Sequence, residues 1–251
     1  DGMVRVVDTE GTEIVKYHPR DYLAHVAEHV EPWSYLKFPF LKAKGWQGFS
    51  DGIDSGVYRA SPLSRLNAAK GMATPLAQEQ YERYFKTLTG DPTGNTPVHQ
   101  TLATHWARVV ELIYAAERTM ELALDDEITN PDIRAIPTET PTEGIGSVEA
   151  PRGTLTHHYI TDEQGVLQKV NLIVGTTNNH ASISMSIKKA AQGLIHKGVD
   201  VTEGVLNKIE MAFRAYDPCF ACATHSLPGQ MPMVVRVRDV DGTVLTEASR
   251  D

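Results

Sequence analysis

The chain has 251 residues, 41% hydrophobic and 22% charged, enough for an ordinary buried core and unlike the composition of a disordered chain. Its 24 basic and 32 acidic residues leave a formal charge of −8, the wrong sign for holding nucleic acid through phosphates, so no nucleic-acid partner is expected. No run approaches the roughly 18 consecutive apolar residues of a membrane helix, and the first residues lack the basic-then-apolar order of a signal peptide, so a cytoplasmic location without a membrane span is the expectation.

Along the chain, Met3 to Val7 alternates apolar and polar residues, turns through Asp8-Thr9-Glu10-Gly11 and resumes at Thr12 to Val15, which predicts a hairpin. Opening on a strand without an initiator methionine reads as an internal piece of a longer polypeptide. From Pro19 to Val30, the spacing of Tyr22, Leu23, Val26 and Val30 predicts a short amphipathic helix. Residues 31–73 hold Trp33, Tyr35, Phe38, Phe40 and Trp46 among glycines and prolines with no sustained period, and read as a long irregular connection. Helices are predicted over 75–88 and over Val98 to Leu124, where Leu102, Trp106, Val109, Ile113, Ala116, Met120 and Leu124 form one apolar stripe. A Pro- and Thr-rich stretch at 131–142 breaks the pattern. Gly153 to Tyr159 and Val166 to Val174 then read as a β-hairpin, Ile183 to His196 and Thr202 to Tyr216 as helices, and Val234 to Arg238 with Thr243 to Leu245 as a last hairpin.

The two cysteines lie in Asp217-Pro218-Cys219-Phe220-Ala221-Cys222-Ala223-Thr224-His225, directly after a predicted helix. Spacing alone leaves four readings open: half of a zinc knuckle without its second pair, a redox pair without the usual strand-to-helix context, a site for another metal, or incidental thiols.

Taken whole, these nine residues resemble the carboxy-terminal nickel-binding motif of nickel–iron hydrogenase large subunits, Asp-Pro-Cys-x-x-Cys-x-x-His. Glu149-Ala150-Pro151-Arg152-Gly153 with Thr154 to Tyr159, Asn171 to Asn179, and Ser61 to Asn67 resemble further segments of that family, in consistent order over essentially the whole chain. Glu31 to Lys37 and the doubled His157-His158 are similar to the cytoplasmic methyl-viologen-reducing branch associated with heterodisulfide reductase.

The resemblance implies a mainly α fold with small β-hairpins (α+β), the multihelical large-subunit fold, incomplete at the amino terminus. Residues 1–225 would be its carboxy-terminal part, and 226–251 an extension that a maturation endopeptidase removes, leaving this chain as the unprocessed precursor. The implied activity is reversible cleavage of dihydrogen at a Ni–Fe centre whose iron carries cyanide and carbon monoxide, electrons leaving through an iron–sulfur small subunit. By the same resemblance, Cys219 would be a terminal nickel ligand and Cys222 a nickel–iron bridge. Arg152 would overhang the open coordination site, and Thr176 would hydrogen-bond a cyanide. Asp217 would shape the turn into the site, and the residues themselves leave a plain salt bridge from Arg152 to Asp217 or Glu149 open, which would fix the guanidinium. His225, with the backbone carbonyl of Leu172, would bind an additional Mg or Fe ion. The family draws four thiolates from two Cys-x-x-Cys motifs, and this sequence has one of them, so it is expected to supply half the ligands, with an empty centre and no activity alone. Gly175 also stands where family members often have proline. Two rivals are a non-catalytic structural relative and a zinc-binding fragment; Cys219, Cys222, Arg152 and His225 occurring together argue against the first.

Overall fold

The computed structural model describes residues 2–196, 199–224 and 233–250. The opening hairpin pairs β1 (Val4–Val7) with β2 (Glu13–Tyr17) antiparallel. Its turn is closed by the Asp8 carboxylate, which accepts the amides of Glu10 and Thr12, and by Gly11 at φ 86°.

The helix expected over 19–30 ends early. A 3₁₀ turn, Pro19–Asp21, leads into one α turn, α1 (Tyr22–His25), and the chain then extends as β3 (Val26–Val30), antiparallel to β4 (Lys37–Leu41). The physical reason is that Tyr22, Val26 and Val30 are four apart, a spacing that fits both a helical and a strand period. Pairing with the aromatic strand Lys37–Leu41, where Phe40 lies opposite Ala27 and Phe38 opposite His29, resolves it toward a strand. The same pairing corrects the reading of 31–73 as irregular, since that stretch contains β4 and the helix α2 (Pro62–Ala68).

Next come α3 (Pro75–Thr89), stopped by the left-handed Gly90, and α4 (Ala103–Ala123). Together with α2 they enclose a core of Leu63, Leu66, Tyr81, Tyr84, Phe85, Val98, Ala107 and Val110. The face α4 buries is made of small residues, Thr104, Ala107 and Val110, whereas Leu102, Val109, Leu112, Met120 and Leu124 are exposed. Glu117 of α4 serves as the N-terminal cap of α3: it accepts from the Thr74 hydroxyl at 2.6 Å and from the amides of Leu76 and Ala77 at 3.0 and 2.9 Å.

A three-stranded antiparallel sheet follows, in the order β5 (Glu143–Ala150), β6 (Gly153–Thr161), β7 (Leu167–Ile173). The hairpin expected at 153–174 is present. Its third strand, β5, was hidden by Gly144 and Gly146 and the Pro-rich stretch before them. A 3₁₀ turn at Thr176–Asn179 feeds α5 (His180–Leu194); α6 (Glu203–Arg214) is capped by the Thr202 hydroxyl, and α7 (Phe220–Thr224) is a short last helix. The terminal hairpin pairs β8 (Met233–Arg238) with β9 (Val244–Arg250). Among the described residues the architecture is mixed α+β, with seven α-helices and nine strands, and no helix is long and apolar enough to cross a membrane.

Candidate functional site

The β5–β6 turn, Ala150-Pro151-Arg152-Gly153, lies against the loop at Gly175 so closely that a Cβ on Gly153 would collide with the Gly175 carbonyl oxygen. Two buried asparagines stitch these loops together. Asn178 donates to the carbonyls of Thr154 and Val174 at 2.7 and 3.0 Å and accepts from the Tyr58 hydroxyl at 2.8 Å. Asn179 donates to the Arg152 carbonyl at 2.6 Å and accepts the Ala60 amide at 2.9 Å. Buried amides of this kind are stable only when both ends are satisfied, as here.

Arg152 points its Nε at Asp217, donating to the backbone carbonyl at 2.6 Å and lying 3.1 Å from Oδ2. Asp217 sits at φ 51°, the single non-glycine residue with positive φ among the described residues, and the left-handed turn presents carbonyl and carboxylate to the same guanidinium. Both side chains are more than a third exposed, so the pair orients more than it stabilises. The two terminal nitrogens of Arg152 have no hydrogen-bond partner among the described residues. Thr176 is buried, and its hydroxyl accepts the Cys219 amide at 3.1 Å, tying the start of α7 to the 175–179 turn. Of the doubled histidines, His158 is buried between the Tyr22 hydroxyl and Glu143, while His157 contacts Tyr159 near the surface.

The expectation for Cys219 and Cys222 is overturned. They are joined to each other in a disulfide, with Cα atoms 5.3 Å apart, and a sulfur bonded to sulfur is not the thiolate that nickel or iron requires. Among the described residues, no group of three or more His, Cys, Asp or Glu is placed to hold a metal. The chain therefore does not supply half the thiolates of a Ni–Fe centre, and the dihydrogen-cleaving role built on them is withdrawn; the residues present do not fit that group. His225 and the Ser226 to Pro232 junction lie outside the described residues.

Leu172 lines a separate cavity of about 340 Å³ with Glu28, Lys37, Thr177, His180 and Ala223. Two of its polar atoms, Glu28 Oε1 and His180 Nε2, are buried without a hydrogen-bond partner among the described residues. His180 Nδ1 lies 2.9 Å from the Lys37 carbonyl, an acceptor only, so Nδ1 carries the proton and Nε2 presents a lone pair. Burial lowers the His180 pKa, only partly opposed by the Lys37 carbonyl bond, and so favours the neutral ring. Sequence reasoning missed both groups: Glu28 lay in a presumed helix, and only tertiary packing brings it to His180.

The chain belongs to the nickel-dependent hydrogenase family, whose profile matches residues 10–225. It is 48% identical over 98% of its length to an F420-non-reducing hydrogenase iron-sulfur subunit of Archaeoglobus profundus, and 41% identical over 99% to the beta subunit of the NAD-reducing hydrogenase HoxS of Cupriavidus necator. In each case the match takes in 49% of the relative, so the chain spans about half the length of the curated relatives it matches. Among solved structures, it resembles the NAD+-reducing [NiFe]-hydrogenase in the H2-reduced state, with a TM-score of 0.78 and 38% identity over 90% of this chain and 47% of that one.

Proposed function

We propose that this chain works inside a multi-subunit oxidoreductase of hydrogenase lineage, in the branch of the archaeal and NAD-reducing relatives, as the part of the large subunit that builds the arginine-bearing wall of the redox site. The observation that carries this reading is Arg152: its Nε is fixed by Asp217, its carbonyl by Asn179, and among the described residues its two terminal nitrogens have no hydrogen-bond partner, which leaves them for an anionic group. Thr176 and Gly153 supply the tight backbone around it. With Cys219 and Cys222 bonded to each other, no step is assigned to a Ni–Fe(CN)(CO) centre.

The additional cation fits better. A carboxylate oxygen and an imidazole lone pair, both buried and unpartnered, would hold a divalent ion such as Mg or Fe beside Leu172; the ion would supply a fixed positive charge linking β3, β7 and α5. The proposed partner is an iron–sulfur subunit in the cytoplasm, with heterodisulfide-reductase-type subunits beyond it. Residues 226–251 are proposed as a segment cleaved after His225 by an endopeptidase during maturation.

Co-production of the chain with an iron–sulfur subunit of a hydrogenase of this branch tests this reading. A stable complex with iron–sulfur absorbance is the expected result, and a chain that purifies alone in every preparation contradicts it. Intact-mass measurement of the assembled complex tests the cleavage separately, a chain still ending at Asp251 refuting it.

A further inference from the structure

No hydrogen bond joins α4 to Arg152 among the described residues, yet the helix reaches both turns that hold it. Arg108 and Glu111 stand nearly one turn apart on α4. Glu111 grips Arg65 of α2 with both oxygens, 2.7 Å from Nε to Oε1 and 2.5 Å from Nη2 to Oε2, in a largely shielded pair. That grip fixes the plane of the Arg65 guanidinium, and its Nη1 donates to the Ala150 carbonyl at 2.8 Å and the Ala60 carbonyl at 3.2 Å. Nη2 also reaches the Pro151 carbonyl at 3.4 Å. The two carbonyls immediately before Arg152 are thus pinned by one guanidinium. Arg108, for its part, donates Nη2 to the Ala215 carbonyl at 3.0 Å, two residues before Asp217, the partner of Arg152.

We propose that Arg65, Glu111 and Arg108 are positioning residues for the Arg152 guanidinium, with α4 as the common strut that sets both halves of the Arg152–Asp217 pair. One arm runs from Glu111 through Arg65 to the turn carrying Arg152. The other runs from Arg108 to the turn carrying Asp217. Arg65 bonds through all three of its nitrogens in different directions, which a lysine ammonium on a flexible stem cannot reproduce. The proposal rests on the reading of Arg152 as the working group of the site, but its geometry can be tested without any partner or metal.

The test is hydrogen exchange at arginine Nε–H in the full chain, labelled with ¹⁵N-arginine, the Arg152 signal being assigned by its loss in Arg152→Lys. In the parent, the Arg152 Nε–H should be protected by its bonds to Asp217. Arg65→Lys and Glu111→Gln should each speed its exchange by about tenfold, the consequence of releasing the turn from its carbonyl bonds. Arg108→Lys, which leaves the α2–α4 clamp in place, should give a smaller acceleration of about threefold. Arg118→Lys, on the same helix but paired only with Glu121, should give none. Circular dichroism identifies any variant that has not folded; if Arg65→Lys fails, Glu111→Gln and Arg108→Lys still decide. Arg152 exchange within about twofold of the parent in the folded variants overturns the proposal, because a purely structural clamp would change melting without changing that one signal. A failure to recruit an iron–sulfur subunit would leave this result standing, so the two readings fail separately.

Discussion

The two faces of α4 do opposite work. One buries Thr104, Ala107 and Val110 and, beside them, sends Arg108 and Glu111 toward the turns that carry Asp217 and Arg152. The other carries Leu102, Val109, Leu112, Met120 and Leu124 into solvent. Apolarity and burial have largely parted company: Ala107 lets α2 and α3 approach, and several large side chains face outward, although Trp106 packs edge-on against Tyr84 at the core's margin. A helix read by hydropathy alone would therefore be turned the wrong way round.

The contrast is broken most severely at the inner core. Phe85→Ala removes a fully buried ring packed between Tyr81 and Tyr84 and should cost about 3–5 kcal/mol in denaturant unfolding. A loss below about 1 kcal/mol would mean that the inner face is no better packed than the outer.

Reducing the Cys219–Cys222 bond probes the site side at a lower cost. A loop this short stabilises by about 2 kcal/mol, and the chain should melt earlier in reductant by that amount. Alkylation of the unfolded, unreduced chain should add nothing to its mass; two added groups would mean that the cysteines are free.

Glu117 sharpens the comparison through pH. Hydrogen bonds from the Thr74 hydroxyl, and then from the amides of Leu76 and Ala77, hold its carboxyl below the ordinary value of 4.5. A depressed carboxylate contributes stability above its unfolded pKa and loses it as pH falls through the folded one. Glu117→Gln should therefore melt earlier than the parent at pH 7 and converge with it below pH 4.5, and parallel melting curves from pH 7 to pH 3 would contradict the capping role.

The smallest effect belongs to the outer stripe. Leu112→Ser should change stability by no more than about 0.5 kcal/mol while lowering binding of an apolar dye. A large destabilisation there would erase the distinction between the faces.

Much of this is legible in the sequence. The patterns of α3, α5 and α6 and three hairpins gave usable element boundaries, whereas the helix read from Val98 begins at Ala103 and much of its apolar stripe is exposed. The residues offered Asp217 or Glu149 as the partner of Arg152, and it is Asp217; that the Thr176 hydroxyl takes the Cys219 amide was not anticipated. What was not legible depended on distance in the chain. Val26 and Val30 satisfy two periods at once, and only the pairing of their segment with β4, Val26 opposite Leu41 and Val30 opposite Lys37, makes it a strand. Arg65 and Arg108 act on turns 85 and 107 residues away, and Glu28 meets His180 only in the folded cavity. The disulfide was missed for a different reason: the spacing serves a bridge as well as a ligand pair and left a redox pair open, and the family resemblance turned the reading toward ligands.

The contact between Gly153 and Gly175 makes the two positions unequal under selection. Any side chain at 153 begins with an atom that has no room, so a saturation library at the site should return glycine there whatever property is screened. At 175 the nearest atom to an added Cβ would be the Gly153 nitrogen at 3.3 Å, and the backbone φ of −48° is close to what proline imposes. Variation should thus enter this loop from one side only, with alanine or proline arriving at 175 over a partner at 153 that cannot change.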